Sequence, residues 1–144
     1  MAEKSAGIPV NVEIKTYIEQ DGKSESFSFS EVGQFFKMGT TVYIRYQETN
    51  PLGKIPVTMK LASDGTAQLR RHASSDLRLV FNPNELASTK YATPAGLMDI
   101  TTRTKMVNFT YQEAPLTGGV QIDYELITGK EVVGQYKIRL QFVQ

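Results

Sequence analysis

The chain has no cysteine and a single histidine in 144 residues. The first absence excludes a disulfide framework, a thiolate nucleophile and a cysteine metal site. The second argues against a zinc site built from protein ligands alone. A basic excess is also missing: 16 Lys and Arg face 15 Asp and Glu, for a net charge of +1. Nucleic-acid binders draw affinity from counterion release at phosphates and usually carry such an excess. The expectation is therefore no nucleic-acid partner, with room only for a local patch. No window approaches the roughly 18 apolar residues of a membrane span. The opening MAEKSAGIPV lacks an apolar stretch of signal-peptide length. Both features point to no membrane association and a cytoplasmic location. No Gly-x-Ser-x-Gly and no glycine-rich phosphate loop leading into a helix is found. No catalytic residue, metal or cofactor is therefore assigned.

What the chain has instead is period-two alternation, the mark of a half-buried strand. Thr41 to Leu61 shows it best. Val42, Ile44, Tyr46 and Glu48 share one face, with Tyr43, Arg45 and Gln47 on the other. After Asn50-Pro51-Leu52-Gly53 the inward row resumes with Ile55, Val57, Met59 and Leu61. The one carboxylate on that row, Glu48, is the first sign of function.

Taken in order, residues 1–9 read as a loose lead-in and residues 10–144 as one domain. A domain of this size buries about 68–70% of its unfolded surface. Val10, Val12, Ile14, Thr16 and Ile18 alternate in a long first strand, and Asp21-Gly22 is a strong hairpin signal. The return strand carries Phe27 and Phe29. Gly33 reads as a break, with Gln34 to Met38 as a short third strand. Asp64-Gly65 turns the chain into Ala67, Leu69 and Arg71, and Ala73-Ser74-Ser75 breaks it again before Leu77, Leu79 and Phe81. Asn82-Pro83-Asn84 ends that strand. Glu85 to Tyr91 fits either a strand or one helical turn. Thr93-Pro94-Ala95-Gly96 is turn chemistry. Met98, Ile100, Thr102 and Thr104 follow, with a continuation through Val107, Phe109 and Tyr111. Two long strands close the chain: Val120 to Leu126, and Gly134 to Phe142.

About ten strands, short links and no helical period predict an all-β fold. A single antiparallel up-and-down β-barrel is expected. The long amphipathic first and last strands can pair and remove both edges. Eight strands just enclose their own side chains or one small ligand, and about ten leave more interior room.

Several pieces resemble the YwiB-like family of calycin-type β-barrels, over about Val10 to Phe142. They are Tyr43-Ile44-Arg45-Tyr46-Gln47-Glu48, then Leu52-Gly53-Lys54 leading to Val57-Thr58-Met59-Lys60, and Leu69-x-Arg71. Lys90-Tyr91-x-Thr93-Pro94-x-Gly96, Met98-x-Ile100-x-Thr102-x-Thr104 and Ile122-x-Tyr124-x-Leu126 complete the set. One departure is Ala73, where the family usually places Gly. The resemblance implies a lipocalin-like barrel, similar in shape to lipocalins and fatty-acid-binding proteins. It carries no established activity over.

By parity Glu48 and Arg71 both point inward. Opposite charges in a barrel interior tend to pair or face water. Arg71 could receive a carboxylate or phosphate in two-pronged fashion. Tyr46, Tyr124 and Tyr136 share the inward parity and would add hydroxyls and ring walls. The plainer reading is a structural ion pair near the barrel rim. Tyr91, with Thr93 and Gly96, would line the barrel mouth, or simply form a turn. Arg70 and His72 point outward beside Arg78, a cluster that suits an acidic partner or a solvated face. Asp99, Asp123 and Glu125 also fall outward, a poor place for paired-carboxylate chemistry. The expected function is non-enzymatic binding of a small, partly apolar and anionic ligand inside the barrel. The alternative is a protein–protein interaction or scaffold module with a side-chain-filled barrel. Oligomeric state is not legible.

Overall fold

Alternation along the chain becomes ten antiparallel strands in one sheet. The computed structural model describes residues 7–50, 53–73 and 76–144. The strands are β1 (Ile8–Gln20), β2 (Lys23–Met38), β3 (Thr41–Asn50), β4 (Gly53–Leu61) and β5 (Ala67–His72). They continue with β6 (Asp76–Phe81), β7 (Ala87–Thr93), β8 (Gly96–Glu113), β9 (Leu116–Thr128) and β10 (Glu131–Val143). Their spatial order is β6-β5-β4-β3-β2-β1-β10-β9-β8-β7. Every neighbour in space is a neighbour in sequence except β1 and β10. Those two ladder from Asn11↔Val143 to Glu19↔Gln135. The result is an up-and-down barrel, nearly closed. Its seam lies in mid-chain, between β6 and β7, which approach each other with no ladder among the described residues. At the residue 82–86 connection Pro83 offers no N–H, and Asn82 instead accepts from the Asn84 N–H at 2.9 Å.

Three local expectations need adjustment. Ile8 and Pro9 are not a loose lead-in: they already pair with Phe35 and Gln34. The rest of that lead-in, residues 1–6, lies outside the described residues, as do 51–52 and 74–75 of the expected turns. Gly33 does not break a strand either. It pairs with Val10 in the middle of the 16-residue β2. A Cβ there would collide with the Arg45 carbonyl oxygen and lie 2.9 Å from Val12 Cγ2. The glycine thus permits a close backbone approach where β2 starts to pair with β3, at Gln34↔Arg45. Third, the ambiguous 85–91 segment is a strand, β7, laddered to β8 from Ala87↔Thr102 to Thr93↔Gly96.

A bulge accounts for the jump in the inward row of β8. Thr104 faces Tyr124, but Met106 faces Asp123, so one residue is extra. Thr102 and Thr104 therefore point inward, and so do Val107, Phe109 and Tyr111 beyond the bulge.

Antiparallel order gathers the turns at two ends. Turns 39–40, 63–65, 83–84 and 114–115 mark one end, and 21–22, 94–95 and 129–130 the other. The first end is sealed. Phe35, Val42, Leu61, Ala67, Phe81, Leu116 and Phe142 are all buried there. Phe35 packs on Phe142 and Tyr111 with centroids 5.5 and 5.6 Å apart. Each such side chain, fully buried, contributes about 1.5–3 kcal/mol. The second end is half-open. Inward-facing Ile18, Phe29, Ile55, Leu77, Tyr91, Leu126 and Tyr136 are only partly buried. Phe27 and Met98 are exposed.

The two adjacent glycines of β9 give a test of this packing. A Cβ on inward Gly118 would sit 2.6 Å from Phe142 Cζ and from the Thr110 carbonyl oxygen. On outward Gly119 it would come no nearer than 3.5 Å, to the Leu140 carbonyl oxygen. Gly118→Ala should cost roughly 1–3 kcal/mol or more, as overpacked positions do. Gly119→Ala should fall within about 0.5 kcal/mol of the parent. Urea titration of both variants checks the pair, and equal stabilities would refute the tight inner wall.

Candidate functional site

The half-open end holds the charged pair that parity placed inside. Tyr46, Val57 and Arg71 form one row across β3, β4 and β5. Glu48 lies one inward step nearer the rim, opposite Ile55. Two strand spacings of about 4.8 Å separate β3 from β5, a gap the long Arg71 side chain spans. Arg71 Nη2 donates to Glu48 Oε1 at 2.9 Å. Both side chains keep partial access to solvent, at 32% for Arg71 and 28% for Glu48. That access explains how charge is tolerated here, because the full desolvation penalty is not incurred.

The pairing leaves part of the guanidinium unused. Among the described residues, the buried Arg71 Nε finds no hydrogen-bond partner. Neither does Thr104 Oγ1, which faces the interior from β8, directly across from Tyr124 on β9. Buried polar atoms without partners are uncommon, and each costs about 1–3 kcal/mol relative to a satisfied one.

Tyrosines line the same space. Tyr46 is buried against Phe29, with ring centroids 6.0 Å apart. Tyr124 stacks on Tyr136 at 5.1 Å with planes 10° apart. Its other side meets Phe81 at 4.7 Å. The Tyr136 hydroxyl accepts from Gln20 Nε2 at 2.9 Å, which draws it toward the rim. Burial pushes the Tyr46 phenol well above its ordinary value of 10.0. The Glu48 carboxylate adds to that rise, Arg71 opposes it and Tyr124 adds a little. Burial likewise raises Tyr124, with Tyr136 reinforcing the effect.

Of the six residues singled out from sequence, five therefore face the shared interior, from two walls: Tyr46, Glu48 and Arg71 from β3 and β5, and Tyr124 and Tyr136 from β9 and β10. Tyr91 stands apart. It lies on β7 at the seam, opposite Met98, and no ring contact or hydrogen bond among the described residues ties it to the others. Sequence reasoning passed over Thr104, Phe29 and Phe81 as site residues. All three lay on apolar or threonine rows that looked purely structural. The signal available was an inward pair of hydroxyls, Thr102 and Thr104, on a strand whose other inward residues are apolar or aromatic.

The principal hollows among the described residues are not lined by Glu48 or Arg71. The roomiest, about 1010 Å³, spans outward residues of β2, β1, β10, β9 and β8, including Glu13, Gln121 and Gln141. Another, about 570 Å³, touches Tyr124 and Tyr136 from outside, among Tyr17, Lys105 and Lys137. Among the described residues there is no group of three or more His, Asp or Glu side chains placed to hold a metal ion.

Comparison with known proteins agrees with this architecture. The family model described as a domain of unknown function, DUF1934, matches residues 12–140. The uncharacterised β-barrel protein YwiB of Bacillus subtilis (strain 168) is 27% identical over 123 residues, covering 85% of this chain and 84% of that protein. The crystal structure of the ywiB protein from Bacillus subtilis superimposes with a TM-score of 0.80 at 24% identity. That match covers 94% of this chain and 90% of the other.

Two measurements probe the site. A double-mutant cycle of Glu48→Gln and Arg71→Met should give a coupling energy of about 1–2 kcal/mol, between exposed and fully buried pairs. A value near zero would mean that the contact does not stabilise the fold. The tyrosines make stability pH-dependent. Below about pH 9 the folded and unfolded chains both keep the two phenolic protons. Above it the unfolded chain ionises first, so stability is lost as pH rises toward the folded-state values. Between about pH 9 and about pH 11 the parent should therefore lose more stability than the Tyr46→Phe/Tyr124→Phe variant. Identical losses in denaturant titrations would remove these phenols as the cause.

Proposed function

The chain belongs to the DUF1934 family, and from that premise we propose that it is a non-enzymatic binder of a small, partly apolar, anionic molecule. The ligand enters at the half-open end of the barrel. One observation carries this reading: the buried, unpartnered Nε of Arg71, beside an Nη2 already held by Glu48. A guanidinium binds carboxylate or phosphate through two parallel N–H donors. In the ligand-free chain Glu48 engages one prong, and the second faces inward with no acceptor. An incoming anion would displace or share the Glu48 contact and satisfy Nε. The apolar part would lie on the rings of Phe29, Tyr46, Tyr124 and Tyr136. Thr104 Oγ1 offers a further donor or acceptor to a polar substituent.

The second reading, a side-chain-filled barrel acting as an interaction or scaffold module, has its own support. The sealed end is packed with side chains such as Ile44, Met59 and Phe81, each at 0% exposure. The 2.9 Å Glu48–Arg71 contact also satisfies much of the charge without a ligand.

Native mass spectrometry of the purified protein, followed by organic extraction, separates the two. The binder reading predicts a co-purifying small molecule that Arg71→Ala loses and Lys137→Ala, on the outer face, retains. A clean apo mass, together with no thermal stabilisation by a panel of fatty and aromatic carboxylates, would overturn it in favour of the filled barrel.

A further inference from the structure

The near-zero net charge conceals a segregated surface. On the outward face running from the end of β2 across β3, β4, β5 and β6, the described cations are Arg45, Lys54, Lys60, Arg70 and Arg78. On these strands Asp76 stands against them, with Glu31 of β2 accepting from outward Thr49 at 3.3 Å and Asp64 of the β4–β5 turn near Lys60. On the opposite wall the arginines are paired locally. Arg139 meets Asp123 at 2.8 Å, Lys90 meets Asp99 at 3.0 Å and Arg103 meets Glu125 at 3.1 Å. On the basic face Arg70 comes no closer than 3.9 Å to Asp76. Arg45 has a ring as its neighbour, its guanidinium lying 5.6 Å from the Phe36 centroid.

Two aromatic side chains sit among these charges. Phe36 and Tyr43 are direct cross-strand partners on β2 and β3. Both point outward and are only half-buried. Their row continues to Lys60 and Gln68. The parallel row runs Arg45, Thr58, Arg70, Arg78. Between the rows lies a hollow of about 570 Å³, lined by Phe36, Tyr43, Arg45, Lys60 and Arg70 among others.

We propose that this face binds single-stranded nucleic acid. The bases stack on Tyr43, beside the Phe36 ring that Arg45 lies over, and the phosphates run along the Arg45–Arg70 row. An acidic peptide would use the charges and leave the paired rings unused. A duplex keeps its bases stacked on one another and away from a sheet-borne ring, whereas unpaired bases are free to stack there. The two rows thus match the two halves of a nucleotide. This inference rests on the outer wall alone, so it stands or falls separately from ligand binding inside the barrel.

The test is fluorescence polarisation with a labelled oligouridine of about twelve nucleotides, within the usual site size of such surfaces. Binding should weaken with salt at a log–log slope of about −2, the value for three neutralised phosphates on a single strand. Tyr43→Ser should weaken it about tenfold, the loss of one stacked base, while Tyr43→Phe retains it. The Arg45→Glu/Arg70→Glu variant should abolish it, and Lys137→Glu on the far wall should leave it unchanged. No binding at low salt would overturn the proposal. So would equal competition by duplex RNA or by polyglutamate, or indifference to Tyr43→Ser. Melting temperatures of each variant separate lost binding from lost fold, and the Tyr43→Phe and charge-reversal arms decide the matter even if Tyr43→Ser is unstable.

Discussion

The ladder between β1 and β10 is the constraint on which the remainder depends. It joins Asn11 to Val143 and Glu19 to Gln135, the most distant parts of the chain. Without it the sheet would divide into two, β1 to β6 and β7 to β10, and no side of either would be an inside. With it, alternate residues of each strand face one shared interior. Val12 and Ile14 from β1 then pack beside Phe142 and Leu140 from β10. Such non-local pairing is slow to find, because loop closure over most of the chain precedes any gain from burial. The edges left over fall where the chain can best protect them, on the short six- and seven-residue strands β6 and β7.

Much of this was legible because parity survives wherever no bulge intervenes. β3, β4 and β5 pair without a register shift. Counting by twos therefore placed Tyr46, Glu48 and Arg71 on one inner wall. Where a residue is inserted the count fails locally, as between Thr104 and Met106 and between Val132 and Gly134. Gly33 shows a different limit. Glycine serves turns and close backbone approaches alike, and only the neighbouring Arg45 carbonyl reveals which of the two applies. Tyr91 shows a third. Its inward parity follows from its own strand, but its separation from the other site residues follows from where the sheet fails to close, a property of all ten strands together.

The polarity of the interior is graded along the barrel axis. Hydrocarbon fills the sealed end, and the charged pair sits where solvent still reaches. The gradient follows from the cost of burying ions, which is several kcal/mol for each one fully desolvated. Glu48 and Arg71 near 30% exposure avoid most of that cost while still excluding enough water to keep their contact short. The same gradient leaves apolar Phe27 and Met98 exposed near that end.

Arg70, Arg71 and His72 are consecutive, and along the chain they look like a single basic cluster. The sheet divides them. Arg71 passes inward to Glu48, while Arg70 and His72 pass outward to the face shared with Arg78 and Asp76. One strand thus supplies a partly paired cation to the half-open interior and a weakly paired cation to the outer wall. The environments differ most in screening. Charges on the wall interact through water and salt, with a Debye length of about 8 Å at physiological ionic strength. They therefore act collectively. Arg71 acts at short range, through its hydrogen bond to Glu48. The wall of the barrel separates two electrostatic environments that neither net charge nor the linear cluster would distinguish.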